Sequence, residues 1–246
     1  MNFKYIYCIL NTGREVKTGL KGFAGQELYS LSYRDISALV SDVSGVDYNI
    51  DNILLHEEVN ERMMADYIVL PMRFATVLDS TGKVRIMLER YYEKFLRNFQ
   101  SIGDKQEFGL KIIWPVGQIK REICSEISFS TLPEGLTGQS PGSTYLKARF
   151  KEHLIGRALA AKAERLFREV NSILAPCFAE FKAKTLVTEK MVLSAAYLVP
   201  PNQVSDFRDR VAAMIRHYLE LNFLLTGPWP PYHFASLELR PPEFDR

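Results

Sequence analysis

The sequence predicts an α+β protein of two domains, with boundaries at residues 1–129 and 143–246 around a linker at 130–142. Three observations carry this. The hydrophobic period switches repeatedly between two and about four along the chain. Between Ser128 and Ser143 the composition turns to Ser, Thr, Gly, Pro and Gln, with Glu134 as the single charge. The second half then runs helix, strand, strand, helix, strand, the order that a ferredoxin-like α+β unit supplies.

Phe3 to Leu10 is apolar on both alternating faces, as a central strand covered on two sides requires. Gln26 to Tyr33 and Ile36 to Ser41 continue the β pattern, punctuated by Gly22 and Gly25. From Asp51 to Asp66 the period becomes helical, with Leu55, Val59 and Met63 inward and the Glu58/Arg62 pair outside. A short extended segment, Ile68 to Val77, precedes an amphipathic helix from about Ser80 to Gln100, whose apolar face is Val84, Met87, Leu88, Tyr91, Phe95 and Phe99. Phe108, Leu110, Ile112 and Trp114 alternate along a strand that Pro115 ends, and a short helix, about Gln118 to Ser128, closes the first half.

The second half opens with a long helix, about Gly142 to Leu174, with Phe150, Leu154, Ala158, Ala161 and Arg165 on one stripe and Pro176 as its stop. Lys182 to Val187 and Met191 to Val199 read as paired strands across Thr188-Glu189-Lys190. Ser205 can cap a further helix with Phe207, Val211, Met214, Ile215 and Tyr218 inward. Two short strands, Phe223 to Thr226 and Phe234 to Leu239, follow across a proline-rich turn. No repeat at a fixed period is present, so solenoids and propellers are excluded.

Composition narrows the classes without naming one. Lys and Arg number 31 against 29 Asp and Glu, a net charge of +2. That balance disfavours an affinity built on neutralising phosphates, and it disfavours the acidic surface of a salt-adapted cytosol. Cys8, Cys124 and Cys177 are far apart and unpaired in spacing, so neither a disulfide framework nor a thiolate zinc site is expected. Tyr5 to Leu10 is too short for a signal-peptide core, and the uncharged run Leu221 to Leu237 is broken by Pro228, Pro230 and Pro231. The expectation is a soluble, reduced, cytoplasmic protein.

The search for chemistry finds little. His56-Glu57 begins like a zinc-protease motif, but Asn60 stands where the second His belongs, which leaves a polar helix flank. His153, His217 and His233 stand alone, and no nucleophile elbow or phosphate loop is present. Lys21-Gly22-Phe23-Ala24 matches the start of an RNA-recognition strand signature but lacks its further stacking aromatic.

Three segments stand out. Leu70 to Val77 places Arg73 in an apolar extended run, with Met72 and Phe74 inward on the plain structural reading. The run Thr226-Gly227-Pro228-Trp229-Pro230-Pro231-Tyr232 is rigid and poor in N–H donors. It reads either as a stiff turn lidding the sheet or as a preorganised docking surface. The long helix carries a basic excess, including Arg149 and Arg157, which reads either as a solvated face or as a dock for an acidic partner.

Four stretches together resemble the GvpL/GvpF family of gas vesicle proteins. They are His56-Glu57 followed by Val69-Leu70-Pro71-Met72-Arg73-Phe74; Ser140-Pro141-Gly142 with Tyr145-Leu146; Leu193 to Val199; and Thr226 to Tyr232. They keep the family order over residues 56 to 232. Ala75 departs from the family pattern, which has Gly there.

The resemblance implies two α+β domains, the C-terminal one a modified ferredoxin-like fold, and leans to the GvpF form. It implies a non-enzymatic accessory or minor structural protein of gas vesicles, the gas-filled shells that give buoyancy to aquatic bacteria and archaea. Such a protein supports shell assembly in the cytoplasm and contacts the major shell protein GvpA, with other gas vesicle accessory proteins as further partners. No catalytic residue, cofactor, metal, nucleic acid or membrane is expected, and the charge balance points to a non-halophilic source. The expected contact residues are Met72, Arg73, Phe74, Trp229, Pro230, Pro231, Tyr232, Arg149 and Arg157. The rival reading is an RNA-binding or small-molecule-binding ferredoxin-like protein.

Overall fold

The computed structural model describes residues 3–126 and 141–235, a mixture of helix and sheet that is α+β throughout. The chain divides into two compact units. One is formed up to Glu107 together with the segment from Pro228 onward, and the other is Phe108–Gly227.

In the first unit, β1 (Phe3–Leu10) is the central strand, and its last six residues are fully buried. It pairs antiparallel with β3 (Ile36–Val43), which pairs in turn with β2 (Tyr29–Tyr33). On its other side β1 meets two short strands, β4 (Val69–Pro71) and β5 (Val77–Leu78). These are the two ends of one interrupted strand. Its middle leaves the ladder at Met72, whose N–H donates to the Tyr7 carbonyl, and rejoins where the Ile6 N–H donates to the Thr76 carbonyl. The expected continuous segment Ile68 to Val77 is therefore an arch over Arg73-Phe74-Ala75, with Ala75 in the left-handed region at φ 63°.

Helix α1 (Ile50–Met63) is capped by the Asn49 side chain, which accepts from the Asn52 N–H at 2.8 Å. The expected single helix from Ser80 to Gln100 is two, α2 (Thr81–Arg90) and α3 (Tyr92–Ile102), because Tyr91 leaves helical geometry at φ −102°, ψ 10°. Gly103, at φ 57°, ends α3 with its N–H on the Phe99 carbonyl.

The second unit holds a four-stranded sheet in the order β7-β8-β6-β9, formed by β6 (Gln106–Ile113), β7 (Glu180–Thr185), β8 (Met191–Val199) and β9 (Asn222–Trp229). Its helices are α4 (Val116–Glu126), α5 (Pro141–Leu174) and α6 (Val204–His217). The chain order β6, α4, α5, β7, β8, α6, β9 in that sheet order is the connectivity of a β-α-β-β-α-β unit with one added helix. Phe108, Leu110 and Ile112 face the core as their alternation requires, joined by Val192, Leu193, Tyr197 and Val199 of β8 and by Phe207, Val211 and Met214 of α6.

Several sequence expectations shift. The domain boundary lies at Glu107, not at residue 129, because β6 sits between β8 and β9 and so belongs to the second sheet. The Ser/Thr/Gly/Pro-rich linker falls largely outside the described residues and lies within the second unit's span. Along α5 the buried stripe is Leu159, Ala163, Val170 and Leu174, so Phe150, Leu154, Ala161 and Arg165 are not its inner face. Gln203, not Ser205, holds the N-cap position of α6, without a side-chain cap bond, and Ile215 is exposed. Phe223 to Thr226 extends to Trp229 as edge strand β9. Phe234 lies in a turn, and residues 236–239 of the last expected strand are outside the described residues.

Two glycines of this unit differ sharply. A Cβ on Gly109 would lie 2.7 Å from Thr226 Oγ1 across the β6–β9 pair, whereas one on Gly156 in α5 would meet open space. Gly109→Val is expected to destabilise the protein by roughly 2 kcal/mol, and Gly156→Ala to stabilise it by about 0.5–1 kcal/mol. Urea unfolding midpoints check both, and equal shifts in the two variants would contradict the close approach.

Candidate functional site

Side chains at i and i+2 of a strand share a face, so β1 presents Tyr5 and Tyr7 together. Over them close Phe23, His56 of α1 and Phe74 of the arch. The Tyr5 ring lies 4.4 Å from Phe23, 5.7 Å from His56 and 6.3 Å from Phe74, centroid to centroid. Inside this nest the polar atoms form one chain. His56 Nε2 lies 3.0 Å from the Met72 carbonyl oxygen, which can only accept, so that nitrogen carries the proton. Nδ1 is then the acceptor for the Tyr5 hydroxyl at 2.8 Å, and the Tyr5 oxygen accepts the Ala75 N–H at 3.1 Å. His56 is 2% exposed, and burial drives its pKa down to about 4. Burial pushes the Tyr5 phenol upward. His56 is thus a satisfied core histidine, not the polar helix flank that its motif suggests.

Beside this nest, Tyr7 accepts the Phe23 N–H at 3.1 Å and bonds Ser41 at 3.0 Å. Gly22 is required here, since a Cβ would lie 2.4 Å from the Tyr7 hydroxyl. Phe23 is 5% exposed within this cluster, so the RNA-like segment offers no ring for a base to stack on.

Above the nest the surface is apolar and open. Tyr48 is 80% exposed, Ile50 67%, Leu54 55% and Ile53 37%, all at the head of α1. The Tyr48 ring rests 5.5 Å from Phe74, which links this patch to the buried cluster. Asp47, Asp51 and Glu58 are exposed around it, as is Arg73 on the arch. An apolar patch with a charged rim, held on rigid aromatics, is suited to binding another protein surface.

The sequence-predicted contact residues divide. Arg73, Arg149 and Arg157 are exposed, and Phe74, Trp229 and Tyr232 are half-buried. Met72 is 2% exposed, and Pro230 and Pro231 are buried, so these three are placed as packing residues. Tyr232 also works inward: its hydroxyl accepts from Asn60 Nδ2 at 3.1 Å, and its ring lies 6.4 Å from His56. Next to it His233 donates its backbone N–H (2.9 Å) and Nδ1–H (2.6 Å) to the buried Glu107 carboxylate. Arg149 bridges Glu152 and the Tyr145 hydroxyl along α5.

Sequence reasoning missed Tyr48, Ile50, Ile53 and Leu54. The available signal is that Ile53, Leu54 and Leu55 are consecutive, and one helix face cannot bury all three.

Among the described residues no group of three or more His, Cys, Asp or Glu is placed to hold a metal ion, and no helix is long and apolar enough to cross a membrane. Cys8 is buried in β1 and its thiol pKa is raised by that burial. A cleft of about 260 Å³ in the first unit is lined by Asn11, Asp66, Tyr67, Asp104 and Lys105 among others, with no His or Cys.

Comparison with known proteins places this architecture. A family model described as gas vesicle synthesis protein GvpL/GvpF matches residues 3–236. Gas vesicle protein L of Streptomyces sp. (strain CB03234) is 24% identical over 259 aligned residues, covering 95% of this chain and 93% of that protein. Gas vesicle protein F1 of Halobacterium salinarum is 22% identical over 241 residues, covering 96% and 93%. The crystal structure of GvpF from Anabaena sp. PCC7120 superposes with a TM-score of 0.82 at 22% identity, covering 97% of this chain and all of that one, so the fold is shared.

The buried imidazole gives a pH dependence with a definite sign. Between pH 6.5 and about 4 the unfolded chain binds a proton at His56 that the folded chain does not. Stability from this residue is complete above pH 6.5 and falls as pH drops through that window, by up to about 3 kcal/mol. Urea titrations at several pH values should show this slope in the wild type and its flattening in His56→Gln. Parallel slopes in the two proteins would refute the assignment.

Proposed function

The chain belongs to the GvpL/GvpF family of gas vesicle synthesis proteins, and from that premise we propose that it works by contact, without catalysis, as an accessory protein that binds the shell protein GvpA during vesicle assembly in the cytoplasm. The observation that carries this reading is the apolar head of α1, with Tyr48, Ile50, Ile53 and Leu54 open to solvent above the Phe74 arch. Burying large apolar side chains is worth roughly 1.5–3 kcal/mol each, and their exposure here is unfavourable until a partner covers them.

The arch supplies the rest of the surface. Arg73 stands exposed at its crest, and Phe74 is wedged between Tyr48 and the His56 nest. A surface held this rigidly loses little entropy when it binds. Trp229, half-buried at the end of β9, is a secondary contact.

Co-purification of tagged variants with GvpA tests the reading. Ile50→Asp combined with Leu54→Asp should lose most GvpA while the far-ultraviolet circular dichroism stays at the wild-type level, since both residues face solvent. Trp229→Ala should weaken capture severalfold. Wild-type capture of GvpA by the doubly charged variant would sink the α1 assignment, and no capture by the wild type would sink the GvpA reading itself.

A further inference from the structure

A second exposed helix face mirrors the first. Counting 100° per residue, the outward face of α1 carries Ile50, Leu54, Glu57 and Glu61, at i, i+4, i+7 and i+11. On α5 the row Leu146, Phe150, His153 and Arg157 has the same spacing. Leu146 is 53% exposed, His153 and Arg157 are exposed, and Phe150 is half-buried. This row lies roughly a third of a turn away from Leu159, Ala163, Val170 and Leu174, which face the core. Each face therefore has two apolar residues followed by two polar ones, acidic on α1 and basic or hydrogen-bond-donating on α5.

The flanking charges are mixed but keep the same bias. Glu58 stands exposed beside the α1 row with Arg62 a turn further on, and Arg149, bridged to Glu152, stands beside the α5 row. The Glu61 carboxyl is raised above its ordinary range by partial burial and by repulsion from Glu57 and Glu58, so the acidic end of α1 gains from an incoming cation.

We propose that α5 of one copy docks on α1 of a second copy of this chain. Laid parallel, Leu146 and Phe150 meet Ile50 and Leu54, while His153 and Arg157 donate to Glu57 and Glu61. The two faces are different surfaces, so the contact is head-to-tail and leaves a free α1 face at one end and a free α5 face at the other. Copies joined this way cover the α1 head, and GvpA competes with self-association for it. The proposal shares that surface with the GvpA reading but does not depend on it, because its test contains no GvpA.

Sedimentation velocity of the full chain from about 5 to about 200 µM measures the contact, in roughly 50 mM and 500 mM salt. The weight-average mass should rise with concentration at low salt and return toward the monomer at high salt. Arg149→Glu with Arg157→Glu should abolish the rise, as should Glu57→Lys with Glu61→Lys. An equimolar mixture of these two variants restores opposite charges at both contacts and should recover the rise. Leu146→Ser and Leu54→Ser should each weaken association about tenfold without altering charge. A wild type that stays monomeric throughout overturns the proposal. So does undiminished association of either charge variant, or a mixture that stays monomeric.

Discussion

The hydroxyl of Tyr5 is the polar group around which the first unit is organised. It sits on a strand buried on both faces, where an unpaired hydroxyl costs on the order of 1–3 kcal/mol. The fold satisfies it twice, with the Ala75 N–H as donor and His56 Nδ1 as acceptor. Reaching Tyr5 requires the Ala75 N–H to leave the sheet, so the strand beside β1 breaks into β4 and β5 with an arch between them. Ala75 takes a left-handed conformation to turn that arch. His56 in turn needs the Met72 carbonyl, which the same break frees. One buried hydroxyl thus links the strand interruption, the position of α1 and the projection of Arg73.

That linkage explains which parts of the chain could be read from its sequence. Apolar runs located β1, β3 and β8, and alternation located β6, whose Phe108, Leu110 and Ile112 are buried as a local period of two demands. The arch could not be read the same way. Val69 to Val77 alternates acceptably as a strand, and what interrupts it is a hydrogen bond to a residue 70 positions away. The two helices failed for a different reason. Each carries more apolar residues than one face can bury, so periodicity finds the helix but leaves open which stripe turns inward. On α5 the visible stripe through Phe150 and Leu154 is the outer one, and Leu159, Ala163 and Val170 do the packing. The exposed site was hidden by the same ambiguity on α1.

The proline-rich segment shows how a rigid sequence divides its work. Its stiffness was legible, but the direction it faces was not. Thr226 requires Gly109 to lack a side chain, Pro230 and Pro231 are buried, and Tyr232 reaches Asn60. His233 then provides both donors for the buried Glu107 carboxylate, which would otherwise be a costly unpaired group. Rigid segments are useful for binding because little entropy is lost, and the same property makes them efficient fasteners. Here fastening takes Thr226, Pro230, Pro231 and Tyr232, while Pro228 is exposed and Trp229 half-buried.

Near-zero net charge takes on a different meaning once the residues are placed. A balance of +2 provides no long-range attraction to any one class of partner. The charges are nonetheless segregated. Glu57, Glu58 and Glu61 crowd the end of α1, while Arg149 and Arg157 line the start of α5. Segregated faces on a neutral molecule orient a partner at short range, where screening is incomplete, and repel one that arrives in the wrong register. The exposed apolar residues alone would bind many surfaces weakly. Beside them, a fixed row of like charges restricts that stickiness to partners carrying the opposite row at the same helical spacing.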